Sequence, residues 1–264
     1  MARPSRQYEG RLEILEAAAR FIARHGFHGM SMRDLARAMG KSIAGFYNYY
    51  RSKEDVLFEL QLRAFEALVQ SAEAAIAATK DPSGRLYGFI LQHLQYVVSH
   101  PDVMHVLVQE ASALPPQRRQ VIRAAKERYF QIAQDLVREV IGSNVSGARR
   151  RRAAVDGPEL ERTTYALFGM LNWTYGWYRS DRHGSPEKLA RTIHRLSLRG
   201  LRADQTANSE IASVEARLAE RPLPPLLELV KERAASGPRI PTGIRRARWF
   251  AVPSPSMKRM GLQG

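Results

Sequence analysis

The chain has 264 residues, 44% of them apolar and 25% charged, enough to build a core in one large or two modest domains. Its 41 Lys and Arg against 26 Asp and Glu leave a formal charge of +15, which favours polyanionic partners such as nucleic acid, anionic lipid heads or phosphorylated ligands. The lack of cysteine excludes disulfides and thiolate chemistry, and no apolar run reaches the roughly 18 residues that cross a bilayer.

The basic excess is spread along the chain: +3 over residues 1–60, +7 over 61–201 and +5 over 202–264. The opening MARPSRQYEGRLEILE has no apolar segment of the kind a secretory signal needs, so a cytoplasmic protein is expected.

Almost every periodic segment reads as helix. Residues 11–25 place Leu12, Leu15, Ala18, Ala19 and Ile22 at helical spacing, and Gly26 closes the run. SMRDLARAMG then opens on Ser31, with Asp34 three residues on: a capping box for a short helix over 32–39, with Leu35 and Met39 on its apolar face. Ser42 caps a third helix over 43–49, and Ser52, with Asp55, a fourth from Lys53 to about Ala78.

DPSG at 81–84 is a turn, residues 85–99 are amphipathic, and His100-Pro101 breaks them. VMHVLVQEASAL is helical up to Pro115-Pro116, and a long amphipathic helix over 117–141 presents Val121, Ala124, Ala125, Phe130, Ile132, Leu136 and Ile141. After the Gly/Ser/Arg-rich loop 142–158, ELERTTYALFGMLNWTYGWYR reads as one apolar, aromatic helix. HGSP turns the chain, and Ser185-Pro186 starts the last clear helix, EKLARTIHRLSLRGL. The expected fold is all-α. From residue 202 the Pro-rich, basic composition offers too little periodicity for a further domain and reads as a largely disordered tail.

The densest signal is GKSIAGFYNYYRSKEDVL, which crowds three tyrosines and a phenylalanine between cations. Two short helices around the turn GKS make a helix-turn-helix, whose second helix enters a major groove by its N-terminal end. Small residues there, Ala44 and Gly45, permit close approach of backbone to DNA. Tyrosine hydroxyls and Lys53 suit phosphate oxygens, as do the helix N-termini at Ser31, Ser42 and Ser52.

SMRDLARAMGKSIAGFYNYYRSKEDVL resembles the DNA-binding segment of the TetR family of transcriptional regulators, through Ser31, Leu35, Ala36, Gly40, Ser42, Tyr47, Tyr49-Tyr50 and Lys53-Glu54. Lys41, in place of a common apolar residue, and Ala44, in place of a common glycine, depart from the pattern. The resemblance implies an N-terminal three-helix helix-turn-helix domain (8–60), a helical ligand-binding and dimerisation domain (61–201) and the tail (202–264). Carried over by position, Ser42, Tyr47, Tyr49 and Lys53 contact phosphates, and Ile43, Ala44, Gly45 and Asn48 lie nearest the bases. Ser31, Arg33 and Lys41 complete the expected DNA-binding set, whereas Phe46 and Tyr50 are assigned to packing.

Residues 165–201 resemble the C-terminal helices of an acyl-CoA-responsive TetR subgroup, through LNWTYGWYR and SPEKLA. This implies a homodimer seam, for which Leu167, Met170, Leu171, Ile193, Leu196 and Leu201 are candidates. Trp173, Tyr175, Trp177 and Tyr178 have two readings, as core and dimer contact or as the wall of an acyl cavity. Arg179 and Arg149–Arg152 are candidates for coenzyme A phosphates, with a solvated charged loop the default for the four-arginine run.

The expected partners are therefore an operator duplex, a second copy of the chain and a small apolar ligand, acyl-CoA thioesters among the candidates, with no cofactor and no membrane. His93, His100 and His105 lack metal-ligand spacing, and Asn144-Val145-Ser146 is a glycosylation sequon by pattern only. No G-x-S-x-G, P-loop or GxGxxG occurs, and no carboxylates form a catalytic pair, so a non-enzymatic regulator is expected. The rival is a helical acyl-CoA carrier or enzyme without DNA binding. The tail cations Arg245, Arg246, Arg248, Lys258 and Arg259 are candidates for non-specific DNA contact.

Overall fold

In a computed structural model the chain divides into two units, Met1–Ala203 and Asp204–Gly264. Residues 6–110, 112–144 and 157–202 of the first unit are described, with residue 215 of the second. The four-arginine run, Val145-Ser146 of the sequon and the tail cations lie outside the described residues.

The described residues form helices and turns, with no strand among them. In chain order the helices are α1 (Arg6–His25), α2 (Met32–Ala38), α3 (Ile43–Tyr47), α4 (Lys53–Ala77), α5 (Pro82–Ser99), α6 (Pro101–Gln109), α7 (Pro116–Asn144), α8 (Pro158–Asn172), α9 (Thr174–Trp177), α10 (Ser180–His183) and α11 (Pro186–Arg202). None is long and apolar enough to cross a membrane.

The caps form where the serines stand. Ser31, Ser42 and Ser52 each accept the backbone N–H three residues on, from Asp34, Gly45 and Asp55, at 3.1 Å. The carboxylate of Asp34 accepts from the Ser31 hydroxyl, so half of the expected capping box is replaced by a side-chain bond. Gly26 (φ 71°) ends α1 and Gly40 (φ 63°) ends α2 in the left-handed region, where a side chain would be strained. Asp81 caps α5 and Pro82 takes its first turn, so that helix starts three residues earlier than periodicity suggests.

α1, α2 and α3 pack around Ile14, Ala18, Ile22, Leu35 and Phe46, all essentially without solvent exposure. On α1 the apolar face includes Ile14, while Leu12 points outward, contrary to the spacing-based expectation. α4, about 37 Å long at 1.5 Å per residue, runs out of this cluster into a second layer of helices. There α5 is central, packed on α4, α7, α8 and α11, and buries Leu86, Phe89, Ile90 and Leu94.

Three expectations are corrected. α6 stops at Gln109 instead of continuing to Leu114; Glu110 leaves the helix and its carboxylate accepts the Phe27 N–H at 3.0 Å. On α7, Val121 and Ala124 are exposed, and the buried stripe runs through Ile122, Tyr129, Ala133, Leu136 and Val140. Tyr129 belongs to the core because its hydroxyl has polar partners inside, a pairing that no local pattern reveals.

The third correction is the aromatic helix over 159–179, which breaks at Trp173. Thr174 bonds back to the Met170 carbonyl at 3.1 Å, Tyr178 is extended (ψ 136°), and its hydroxyl donates to the Gly184 carbonyl. That bond folds the chain back on itself, and Ser180–His183 forms a short helix between the end of the expected aromatic helix and the turn at HGSP.

Candidate nucleic-acid interface and an apolar cavity

The tyrosine-rich segment separates its side chains by function. Phe46 is fully buried and Tyr50 is 3% exposed, fixing α3 and the turn after it. Ser42, Ile43, Ala44, Tyr47 and Asn48 face solvent, with Tyr47 51% exposed. Anchored at Phe46, α3 thus offers an N-terminal face with an aliphatic, a phenol and a carboxamide. Those groups can contact thymine methyls, phosphates and base edges. Ser31 and Arg33 are exposed at the start of α2, on the same small domain.

The other expected contacts are more occupied. A Cβ at Gly45 would stand 3.0 Å from the Ser42 hydroxyl, so the glycine serves the cap as well as any approach to DNA. Lys41 bridges Glu13 of α1 at 2.8 Å and lies 5.9 Å from the Tyr49 ring centre. Tyr49 is half-buried, and a Cβ at Gly10 would come within 2.7 Å of its hydroxyl oxygen. Lys53 is turned inward. Its ammonium donates to the carbonyls of Met30 (3.1 Å), Phe27 (3.2 Å) and His28 (3.5 Å), and sits 4.6 Å from the Phe27 ring centre.

Behind this face, Glu59 accepts from Arg11 (2.6 Å) and Arg63 (2.7 Å), tying α1 to α4. Burial opposes the Glu59 charge, but the two guanidinium hydrogen bonds outweigh it and hold the carboxyl below the usual carboxylate range. Burial pushes the Tyr50 phenol up to about 12, with the Arg11 guanidinium 4.8 Å from its ring centre. Asp55 pairs with Arg118 of α7 and is likewise held low against its own burial.

A cavity of about 190 Å³ lies among α4, α5, α6, α7 and α8. Its apolar wall includes Phe65, Leu68, Met104, Leu107, Phe130 and Phe168. His93, Tyr129 and Asn172 supply the interior polar groups, and the exposed Lys126 stands at its rim. Gln92 Nε2 donates to the Tyr129 hydroxyl at 2.9 Å, and His93 Nδ1 lies 2.9 Å from the same oxygen. His93 Nε2 is buried without a hydrogen-bond partner. Burial pushes His93 down to about 4, opposed by hydrogen bonding from the Asn172 side chain.

None of Trp173, Tyr175, Trp177, Tyr178 and Arg179 lines this cavity. Trp173 is 62% exposed; Tyr175 accepts from Gln109 at 3.1 Å, and with Tyr178 and Arg179 it borders a shallow surface cleft beside Pro101. The wall residues come from five helices separated by up to about a hundred residues, and sequence reasoning missed them; His93, set aside there as unremarkable, is the polar centre.

The six seam candidates also divide. Leu167, Leu171 and Ile193 are buried within the single chain and are corrected to core residues. Met170 and Leu196 are exposed, and Leu201 lies in the last turn of α11. Trp173 and Trp177 are also exposed. Among the described residues no group of three or more His, Asp or Glu is placed to hold a metal ion.

Two family models match the chain: "Bacterial regulatory proteins, tetR family" over residues 14–60, and "Tetracyclin repressor-like, C-terminal domain" over residues 79–201. The structure resembles the TetR family transcriptional regulator PfmR from Thermus thermophilus, at 30% identity and a TM-score of 0.58, over 70% of this chain and 97% of that one. Similarity to the fatty acid metabolism regulator protein of Bacillus subtilis (strain 168) is 21% over 191 residues, 72% of this chain and 94% of that protein. AibR, solved with isovaleryl coenzyme A and operator DNA, shares the fold at 21% identity and a TM-score of 0.59, covering 70% of this chain and 96% of that one. With its N-terminal helix-turn-helix matched by one of these models and its helical C-terminal half by the other, the chain belongs to the TetR family of DNA-binding transcriptional regulators.

Proposed function

We propose that the chain is a ligand-responsive repressor that binds a near-palindromic operator as a homodimer and leaves it when an apolar small molecule, an acyl-CoA thioester foremost, enters the cavity. Residues 8–60 are then the reading head and 61–201 the sensing and dimerising part. Ile43, Ala44, Gly45 and Asn48 lie nearest the bases, while Ser42, Tyr47, Ser31, Arg33 and Lys41 meet phosphates. Met170, Leu196, Trp173 and Trp177, large apolar groups left in solvent by the single chain, join the second copy.

The observation that carries the reading is the position of α6. Met104, Leu107 and Val108 on α6 wall the cavity, and Glu110, one residue past its end, holds the Phe27 N–H in the turn between α1 and α2. The Glu110 carbonyl also accepts from Gln61 on α4 at 3.1 Å. A ligand that displaces α6 therefore pulls on the segment that orients α2 and α3. It shifts DNA affinity only to the extent that it binds the displaced arrangement more tightly. Acyl-CoA enters as the ligand class through the resemblance of the C-terminal helices and through AibR, which was solved with isovaleryl coenzyme A and operator DNA.

The test is fluorescence anisotropy on the duplex immediately upstream of the protein's own gene, against random DNA, repeated with a panel of acyl-CoA thioesters and free acids. Tight, strongly salt-dependent binding that one thioester abolishes is the expected result. Operator binding unaffected by every thioester removes the ligand class, and binding no stronger than to random DNA removes this operator.

A further inference from the structure

The polar groups in the cavity define what kind of ligand it admits, provided the cavity is the ligand site as proposed above. Tyr129 Oη accepts from Gln92 Nε2, and its own proton has one acceptor beside it, His93 Nδ1. Nδ1 therefore accepts, and in the neutral ring the proton resides on Nε2. The opposite arrangement, with the Gln92 amide reversed, would leave a buried NH₂ unpaired and make Nε2 an unpaired acceptor.

His93 Nε2 thus presents an N–H donor, without a partner at hydrogen-bonding geometry although the Asn172 side chain acts on the ring, to a predominantly apolar cavity. Lys126 is the sole cation among the wall residues, and it stands at the rim. A carboxylate at His93 would face an uncharged donor deep in an apolar wall, where an unpaired charge is far more costly than a carbonyl. A cavity of about 190 Å³ with a largely apolar wall suits a short acyl chain better than a long one.

We propose that the cavity selects a short acyl group whose uncharged carbonyl oxygen accepts the Nε2–H of His93, while any anionic remainder of the ligand stays outside, beside Lys126. His93 is then a specificity-determining residue. It separates acyl thioesters from ligands of the same shape and charge that lack the carbonyl.

Isothermal titration calorimetry of the full chain tests this with isovaleryl coenzyme A and its thioether counterpart, in which a methylene replaces the carbonyl. The thioester is expected to bind on the order of ten-fold tighter, the cost of leaving a buried donor unpaired. His93→Asn keeps an acceptor where Nδ1 meets Tyr129 and deletes the cavity-facing nitrogen; it is expected to bind both compounds equally. The ligand pair alone carries the test on the unmodified protein should the variant fold poorly. Equal binding of thioester and thioether, or tighter binding of the free acid, overturns the proposal and leaves the ligand site in place. Binding of neither compound overturns the acyl-thioester reading along with it.

Discussion

The molecule holds two aromatic clusters of opposite construction. The first, Phe46 to Tyr50, is contiguous in sequence, and folding splits it: Phe46 and Tyr50 go inside while Tyr47 stays in solvent. The second comprises Phe89, His93, Tyr129, Phe130 and Phe168, with Phe89 and Tyr129 centroids 5.2 Å apart and Phe130 and Phe168 at 5.7 Å. It is scattered over three helices and comes together only in three dimensions. A local cluster advertises a surface that must meet something in register; a dispersed one builds an interior.

The sharpest way to break the first cluster is Phe46→Ala. Removing a fully buried phenylalanine from this small domain should cost about 3–5 kcal/mol, since the hole cannot be refilled from solvent-facing neighbours. Chemical denaturation of the full chain would measure it. A cost below about 1 kcal/mol would show that α3 is held by something other than this anchor.

The second cluster answers to pH. The His93 pKa near 4, against 6.5 for an exposed histidine, means that the unfolded chain binds more protons through that interval. Stability contributed by the neutral ring is therefore complete above about pH 6.5 and lost as pH falls toward 4, a difference of about 3 kcal/mol. His93→Asn should flatten the stability profile over this interval. An unchanged slope would mean that the ring is solvated or paired when protonated. Asp55 and Glu59, both held low, act at lower pH: their stabilisation is present above the ordinary carboxylate range and fades as pH drops through their folded values.

Lys53 tests whether a cation beside the reading head serves DNA or the fold. Lys53→Met removes charge-assisted bonds to three carbonyls and should cost about 2 kcal/mol of stability. The salt dependence of DNA binding should stay the same, because its ammonium already has protein partners. A slope shallower by about one unit would instead count Lys53 among the phosphate contacts, as the resemblance implies.

These cases show how far the sequence could be read. The serine caps and the glycine stops were legible because each depends on residues within four positions of one another, and the helix-turn-helix with the burial of Phe46 and Tyr50 was legible through the family resemblance. Lys53 bonds a turn 23 to 26 residues upstream, and Tyr129 bonds side chains 36 and 37 residues away. No spacing rule reports such pairs. The same limit explains the aromatic segment after Trp173: apolar periodicity suggested continuation, but Tyr178 is extended and its hydroxyl reaches the Gly184 carbonyl, six residues on. Leu167, Leu171 and Ile193 have the pattern of a seam and the burial of a core, and a heptad-like spacing does not separate those roles.

Within the first cluster, Tyr47 and Asn48 provide the smallest effects and the finest distinction. Both are exposed, so replacing either with alanine should change stability by less than about 0.5 kcal/mol. Their effects on DNA should nevertheless differ. A phenol bound to phosphate positions the protein without reading sequence, so Tyr47→Ala should weaken operator and random duplex alike. A carboxamide on a base edge discriminates by about 1–3 kcal/mol, so Asn48→Ala should weaken the operator complex and leave the random complex nearly unchanged. Anisotropy titrations of both variants on both duplexes at one salt concentration separate the roles. Equal losses on the two duplexes for Asn48→Ala would move that side chain from the bases to the backbone, leaving Ile43, Ala44 and Gly45 as the residues nearest the bases.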